Sequence, residues 1–209
     1  MKKKKAFEIL PKLNLLDFVC FNIFKTYDGW FFPFRGGYYN IHRKAKIIIN
    51  KKASFSFNRG GKNDPFKGYF VMEEDSKLIV NGHFSINSGG RVSICKGATL
   101  EVGSGFINHN TFLVCRKRIS IGNGATISNN VVIRDNDAHK IIDENYISMK
   151  PIEIGNHVWI GTNSTILKGV KINDGVVVGA NSLVNKNIPA KCLVAGIPMR
   201  IIKENIEWE

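Results

Sequence analysis

The chain has 209 residues, 44% of them hydrophobic and 22% charged, enough for one well-buried core with a small appended element and not a composition that suggests disorder. Its 30 Lys and Arg against 17 Asp and Glu leave a net charge of +13, which favours an anionic partner: a phosphorylated ligand, an acidic membrane surface or nucleic acid. No RNP, zinc-finger or helix-turn-helix pattern supports the last, so no nucleic-acid role is expected.

Lys2–Lys5 form a basic cluster ahead of an apolar-rich region reaching Phe34. Ile9, Leu10, Leu13, Leu16, Cys20 and Ile23 or Phe24 recur there at helical spacing, with Pro11 tolerable in a first turn. Asp17, Asn22, Lys25 and Asp28 interrupt the run, so it is not a transmembrane span. Two readings of residues 1–45 follow. The segment either packs over the open end of the fold or against a neighbouring subunit, or it lies on a membrane surface with its basic start towards anionic lipid. The aromatic cluster Trp30, Phe31, Phe32, Phe34, Tyr38 and Tyr39 suits either.

From Ile47 the chain turns to short half-buried strands, at 47–49, 55–57, 78–80, 84–86 and 92–94, with a polar loop at Arg59–Lys67. Ile94, Leu100, Phe106 and Phe112 keep a six-residue step before the phase slips, as at bulges or corner loops. The step resumes at Ile121, Ile127 and Ile133. It breaks at the polar segment 134–151, which is expected to bulge outward, and then runs unbroken through Ile154, Ile160, Ile166, Ile172, Val178 and Val184.

A step of six rotates a helix by roughly 600°, so these residues cannot share a helix face. Thirty uninterrupted strand residues are implausible with glycines punctuating the run. A chain that bends after each short strand, closing a triangular coil every three strands, buries all six in one column. The expected fold is thus all-β dominated, a solenoid over 46–195 with the loop 134–151 projecting from it. Residues 196–209 follow as a short C-terminal helix or tail that caps or packs on the outer wall.

A loop that breaks a rigid repeat is where function usually sits, and this one contains Asp135, Asp137 and His139. Histidine is the side chain best suited to take a proton near neutral pH, and a carboxylate can orient it. His109 could line the same cleft; His42 and His83 have no supporting pattern, and His157 should be exposed at a corner. No H-x4-H pair or other ligand spacing occurs, so no metal is expected. Cys20, Cys95, Cys115 and Cys192 show neither C-x-x-C spacing nor a preceding secretory signal, and read as reduced thiols of a cytoplasmic protein.

The runs V-W-I-G at 158–161, G-A-N-S-L-V at 179–184, G-I-P-M-R at 196–200 and I-R-D-N-D-A-H-K-I-I-D at 133–143 resemble the hexapeptide-repeat acyltransferases, most nearly the bacterial polysaccharide and sugar O-acetyltransferases. The resemblance is specific over 121–203 and weak before it. It implies a left-handed parallel β-helix, a homotrimer, acetyl-CoA as acyl donor and no metal. It implies His139 as general base with Asp137 as the nearby carboxylate, and matches Arg134 without defining its role. Trp159, Thr162 and Ala180 would line the pantetheine arm, and Lys186, Arg200 and Lys203 the phosphates; Asn185 departs from the Thr or Ser usual there.

The reaction implied is direct attack of a sugar hydroxyl on the thioester, since no nucleophile elbow is present. The acceptor would belong to a surface polysaccharide or its lipid-linked precursor, and the protein would sit in the cytoplasm, peripheral to the inner face of the membrane or free of it. N-acetylation of an amino sugar, acetylation of a small molecule, and a non-catalytic β-helix scaffold are the alternatives.

Overall fold

The computed structural model describes residues 12–23, 27–61, 64–139 and 141–209. Strands one coil apart pair in parallel, forming three sheets of nine, seven and six strands, the ninth strand of the first being an antiparallel addition at the C-terminal end, and these are the three faces of a triangular prism. The first face runs through Trp30–Pro33, Ser54–Arg59, His83–Asn87, Gly105–Ile107, Ala125–Ile127, Trp159–Ile160, Val177–Val178 and Leu193–Ala195. The chain leaves each of these for the second face, then the third, then returns. This is the left-handed parallel β-helix expected from the repeat.

In the downstream half the coil is regular: Trp159 pairs with Val177, and Thr165 with Leu183, each eighteen positions on. Ile154, Ile160, Ile166, Ile172, Val178 and Val184 are all buried in one continuous column. Each such side chain removed from water is worth roughly 1.5–3 kcal/mol. The corner turns need left-handed backbone, which Asn tolerates better than most residues. Asn130, Asn163 and Asn181 adopt it at successive levels of one corner, and their side chains bond to one another at 3.1 Å.

The upstream coils are longer and the expected phase fails there. Leu100 is buried, but Phe106 and Phe112 point outward, and the inward positions are Ile107 and Leu113. The slip falls at the corner before Gly105, where the chain goes from Val102 to Gly105 while the coils on either side go from Val80 to Phe84 and from Ile121 to Ala125; a Cβ on Gly105 would lie 2.1 Å from the Ala125 carbonyl oxygen. The core of this half is aromatic instead. Phe31, Phe55, Phe57 and Phe70 are fully buried, with ring centroids 5.2–6.0 Å apart.

The first coil begins earlier than the expected boundary at residue 46, since Trp30–Pro33 already pairs with Ser54–Phe57. Helix α1 (Leu15–Ile23) covers this first strand. The face expected to pack is not the one that does: Leu16, Cys20 and Ile23 are exposed. Contact is made instead by Phe18, stacked beside Phe32, and by Phe21, 4.5 Å from the Phe31 ring. Buried Asn22 explains the choice, because its amide accepts from Phe31 N–H at 2.9 Å and donates to Phe31 C=O at 2.6 Å. It supplies the free strand edge with the partners that a further strand would give. Residues 1–11 and 24, and with them Ile9, Leu10 and Phe24, lie outside the described residues. Among those described, no helix is long and apolar enough to cross a membrane.

At the other end the tail is not helical; Arg200–Lys203 adds to the first face as an antiparallel strand against Leu193–Ala195. Asn22→Ala should lower stability by about 2 kcal/mol, since it strands two buried main-chain groups of Phe31. Denaturant titration measures this, and Asn22→Asp should not restore it, having lost the donor.

Candidate active site

The loop that breaks the repeat leaves the corner between the second and third faces, after Val132–Arg134 and before Ile152–Ile154. It is a closed hairpin: Asn136 and Met149 form an antiparallel bridge, Asp137 N–H bonds Ser148 C=O at 2.9 Å, and Lys150 N–H bonds Asp135 C=O at 3.0 Å. Its base is fixed by Asp135, whose carboxylate is fully buried. That carboxylate accepts three main-chain N–H bonds from one corner of the preceding coil, Arg116 at 2.7 Å, Lys117 at 2.7 Å and Arg118 at 2.9 Å. Burial, and then the nearby Asp135 charge, push the Cys115 thiol up. It is a neutral core residue, not a nucleophile.

Asp137 does not bond His139. Its carboxylate is taken by the Tyr146 hydroxyl and the Lys168 ammonium, and Lys168 and then Tyr146 hold it below its ordinary value. Lys168 also donates to Ile147 C=O at 2.8 Å and lies over the Tyr146 ring, 4.3 Å from its centroid. Asp137 is therefore a tether of the hairpin. His139 stands exposed at the turn with its C=O accepting from Tyr146 at 3.2 Å; its imidazole has no hydrogen-bond partner among the described residues. Arg134 is half-buried, with its Nε inside and unpaired. Lys168 and Tyr146 were missed from the sequence, although Ile133 pairs with Ile166, and carrying that offset forward sets Lys168 beneath the loop.

Trp159 stands on the first face, 42% exposed, with Nε1 3.4 Å from Ser128 Oγ. Main-chain register stacks it between Thr126 and Val177, and the same column continues to Leu193 and Lys203. Thr162 and Ala180 lie one coil apart at the corner between first and second faces, linked through Asn181 N–H to Thr162 C=O at 2.8 Å. Gly161 keeps this wall flat, for a Cβ there would sit 2.6 Å from Ala180 N. Arg200 and Lys203 are exposed on the last strand of the first face, whereas Lys186 is exposed at the opposite corner, the one that carries the loop.

A further element was not foreseen. His157 is exposed, as expected, but Trp208 of the tail stacks flat upon it at 3.9 Å and stands 6.0 Å from Trp159.

His109 occupies the first–second corner as well. Its Nδ1 lies 2.7 Å from Ser88 Oγ, and that hydroxyl donates to Asp64. Burial raises the Asp64 carboxyl, but Ser88, the Phe66 N–H and His109 outweigh it and keep the group below its ordinary value. With the one Ser88 proton given to Asp64, Nδ1 of His109 is the donor to the Ser88 oxygen, and Nε2 has no partner among the described residues. His83 touches Ser54 Oγ at 2.9 Å, and His42 accepts from Lys44 N–H. Among the described residues no three His, Cys, Asp or Glu side chains gather as metal ligands would.

Comparison with known proteins bears on this arrangement. The bacterial transferase hexapeptide family (six repeats) matches residues 151–186, and the hexapeptide repeat of succinyl-transferase matches 119–134. A polysialic acid O-acetyltransferase of Escherichia coli O1:K1 is 36% identical over 151 residues, which are 70% of this chain and 43% of that protein. The chain thus spans less than half the length of that curated relative. Among solved structures, a polysialic acid O-acetyltransferase superposes with a TM-score of 0.56 at 25% identity, covering 88% of this chain and 92% of that one. A hexapeptide-repeat acetyltransferase of Vibrio cholerae O1 biovar eltor, solved with acetyl coenzyme A, gives 0.54 at 28% identity over 62% of this chain and 72% of that one.

Two expectations follow from the hairpin. Asp135→Ala leaves three main-chain N–H groups without their acceptor and should cost about 3 kcal/mol in a denaturant titration. Asp137, with its folded value depressed, holds the loop above the ordinary carboxylate value of about 4 and releases it as pH falls through the depressed value. Pepsin should therefore cut within 141–147 faster as pH drops below about 4, and Lys168→Met should already be cut fast at the upper end of that range.

Proposed function

Because the chain belongs to the hexapeptide-repeat acyltransferase superfamily, we propose that it is an acetyl-CoA-dependent O-acetyltransferase acting on a sugar hydroxyl of a bacterial surface polysaccharide or its lipid-linked precursor. The observation that carries this reading is the hairpin, anchored at its stem, that presents an unencumbered His139 imidazole, in a chain similar to acetyltransferases whose names specify polysialic acid. His139 takes the proton of the acceptor hydroxyl as that oxygen becomes nucleophilic. Asp137 contributes by fixing the hairpin through Lys168 and Tyr146, not by orienting the imidazole.

Acetyl-CoA would supply the activated acyl group, and the wall fits it. An extended amide-bearing arm can lie against half-exposed Trp159 and reach the main chain at Thr162 and Ala180, where side chains are small. Arg200 and Lys203 are exposed at the far end of the column, placed to meet phosphates through charge-assisted bonds.

One chain does not assemble this site. His139 leaves the corner opposite the face that carries Trp159, so the two groups stand on opposite sides of the prism. A homotrimer, in which the hairpin of one protomer meets the first face of the next, removes the difficulty. It also brings Lys186, on the hairpin's corner, towards the neighbour's cofactor wall. The exposed Leu15, Leu16, Val19 and Ile23 of α1, following the basic cluster, support a cytoplasmic protein peripheral to the inner face of the membrane.

The test is coenzyme A release from acetyl-CoA with bacterial polysaccharides. The wild type should turn over, and His139→Ala should lose about a hundredfold or more in kcat with acetyl-CoA binding retained. Full turnover by that variant overturns His139 as base, and absence of acetyl-CoA binding by the wild type favours a scaffold.

A further inference from the structure

The upstream half of the first face bears a second concavity, an open cleft of about 590 Å³ lined by Arg59, His83, Asn87, Phe106, Asn108 and His109 among others. It lies above the proposed cofactor wall on the same surface. Ser85 pairs with Phe106, Phe106 with Thr126, and Thr126 with Trp159, so the cleft and Trp159 share one outward column. The corner is continuous too. His109 N–H bonds Asn129 Oδ1 at 3.2 Å, and Asn129 C=O accepts from Asn163 N–H at 3.0 Å, beside Thr162. Two strand spacings, about 10 Å, separate the levels of His109 and Thr162.

The lining has a consistent chemical character. The described residues that line the cleft include no aspartate, glutamate or lysine, the Asp64 carboxylate standing behind the lining 4.0 Å from His109 Nδ1, and no helix N-terminus points into it. Asn87, Asn108 and several serine hydroxyls offer the mixed donors and acceptors that sugar hydroxyls require. Phe106 presents a partly exposed ring. Arg59 has no ion pair or hydrogen bond among the described residues and is exposed.

Its position is built, not incidental. Register shifts between Phe57 and Arg59, because Asn58 adopts a φ of 61° and turns into the core. There Asn58 donates to Arg35 C=O at 2.7 Å and accepts from Gly89 N–H at 3.2 Å. Strict alternation after Ser54 and Ser56 would send residue 58 outward and residue 59 inward. The bulge reverses this and puts the guanidinium on the cleft side. Asp64 and Ser88 meanwhile hold the His109 ring at Nδ1 and leave Nε2 without a partner among the described residues.

We propose that this cleft is the acceptor subsite and that it selects a carboxylate-bearing glycan, Arg59 binding the carboxylate and His109 positioning a sugar hydroxyl through Nε2. The proposal rests on the acetyltransferase reading for its purpose, but its recognition chemistry is separate. A planar guanidinium matches a carboxylate with two parallel bonds. The neutral hydrogen-bonding surface around it suits one acid group per sugar better than a densely charged phosphate.

Binding of a sialic acid tetramer and of its carboxyl-reduced counterpart, measured by calorimetry on the full chain, tests this without turnover. The wild type should prefer the carboxylated tetramer roughly ten- to hundredfold. Arg59→Ala should abolish that preference without altering acetyl-CoA affinity, and Arg59→Lys should restore part of it. Equal binding of the two oligomers by the wild type, or equal weakening of both by Arg59→Ala, overturns the subsite. Discriminating binding without acetyl transfer would sink the acetyltransferase reading and leave the cleft standing. Transfer to neutral glycans that ignores Arg59→Ala would do the reverse.

Discussion

Each inward aliphatic side chain is packed between its equivalents one coil above and one coil below, and parallel main-chain pairing holds that column in register. This coupling determines what every other residue can touch. A position on an outer face or at a corner has its neighbours a coil away in sequence, so side chains scattered along the chain become columns. Trp159, Val177, Leu193 and Lys203 are one such column. Asp64, Ser88 and His109 meet at three successive levels of one corner for the same reason.

A solenoid of this kind is rigid but featureless unless the repeat is interrupted, and an interruption must then be held. The hairpin after Arg134 shows how. Burying the Asp135 carboxylate without a cation is costly, yet three convergent N–H donors satisfy it, and the corner at 116–118 gains partners it would otherwise lack. The outer end is held by a cheaper device, the partly exposed Asp137–Lys168 pair. Exposed pairs contribute little to global stability, but this one acts on a short loop whose alternative is free movement. Anchoring is strongest at the stem and weakest at the turn that carries His139, which leaves the imidazole unencumbered.

The regular coils were readable from sequence because a strict eighteen-residue coil brings an inward aliphatic residue back at every sixth position. Ile154 to Val184 needed no tertiary information. The upstream coils were not readable, since a bulge at Asn58 and a shortened corner before Gly105 shift the phase, and neither leaves a hydrophobic signature. Phe106 and Phe112 therefore looked like core and are surface. The same limit applied to α1, where the apolar stripe suggested one face and the hydrogen bonds of Asn22 with Phe31 selected another. In the loop, residue type and the family resemblance together single out His139 as the candidate base. The partner of Asp137 was not readable, because Lys168 becomes adjacent only once the register of successive coils is known.

The two halves differ in a way that bears on how such a chain divides its work. Downstream, eighteen-residue coils leave no spare residue, so the wall around Trp159, Thr162 and Ala180 is flat and tolerates little change; even a Cβ at Gly161 would collide with the next coil. That geometry suits a ligand that is always the same. Upstream, coils of twenty or more residues accommodate a bulge at Asn58, an irregular loop at Asp64 and an aromatic core that fills the wider interior. Extra residues there can re-aim a side chain, as Arg59 is re-aimed, without disturbing the column beneath. On the proposed function, variation in the acceptor is absorbed by the irregular coils while the proposed cofactor wall stays fixed. The divergence of the first half from the family pattern is what that division of labour would produce.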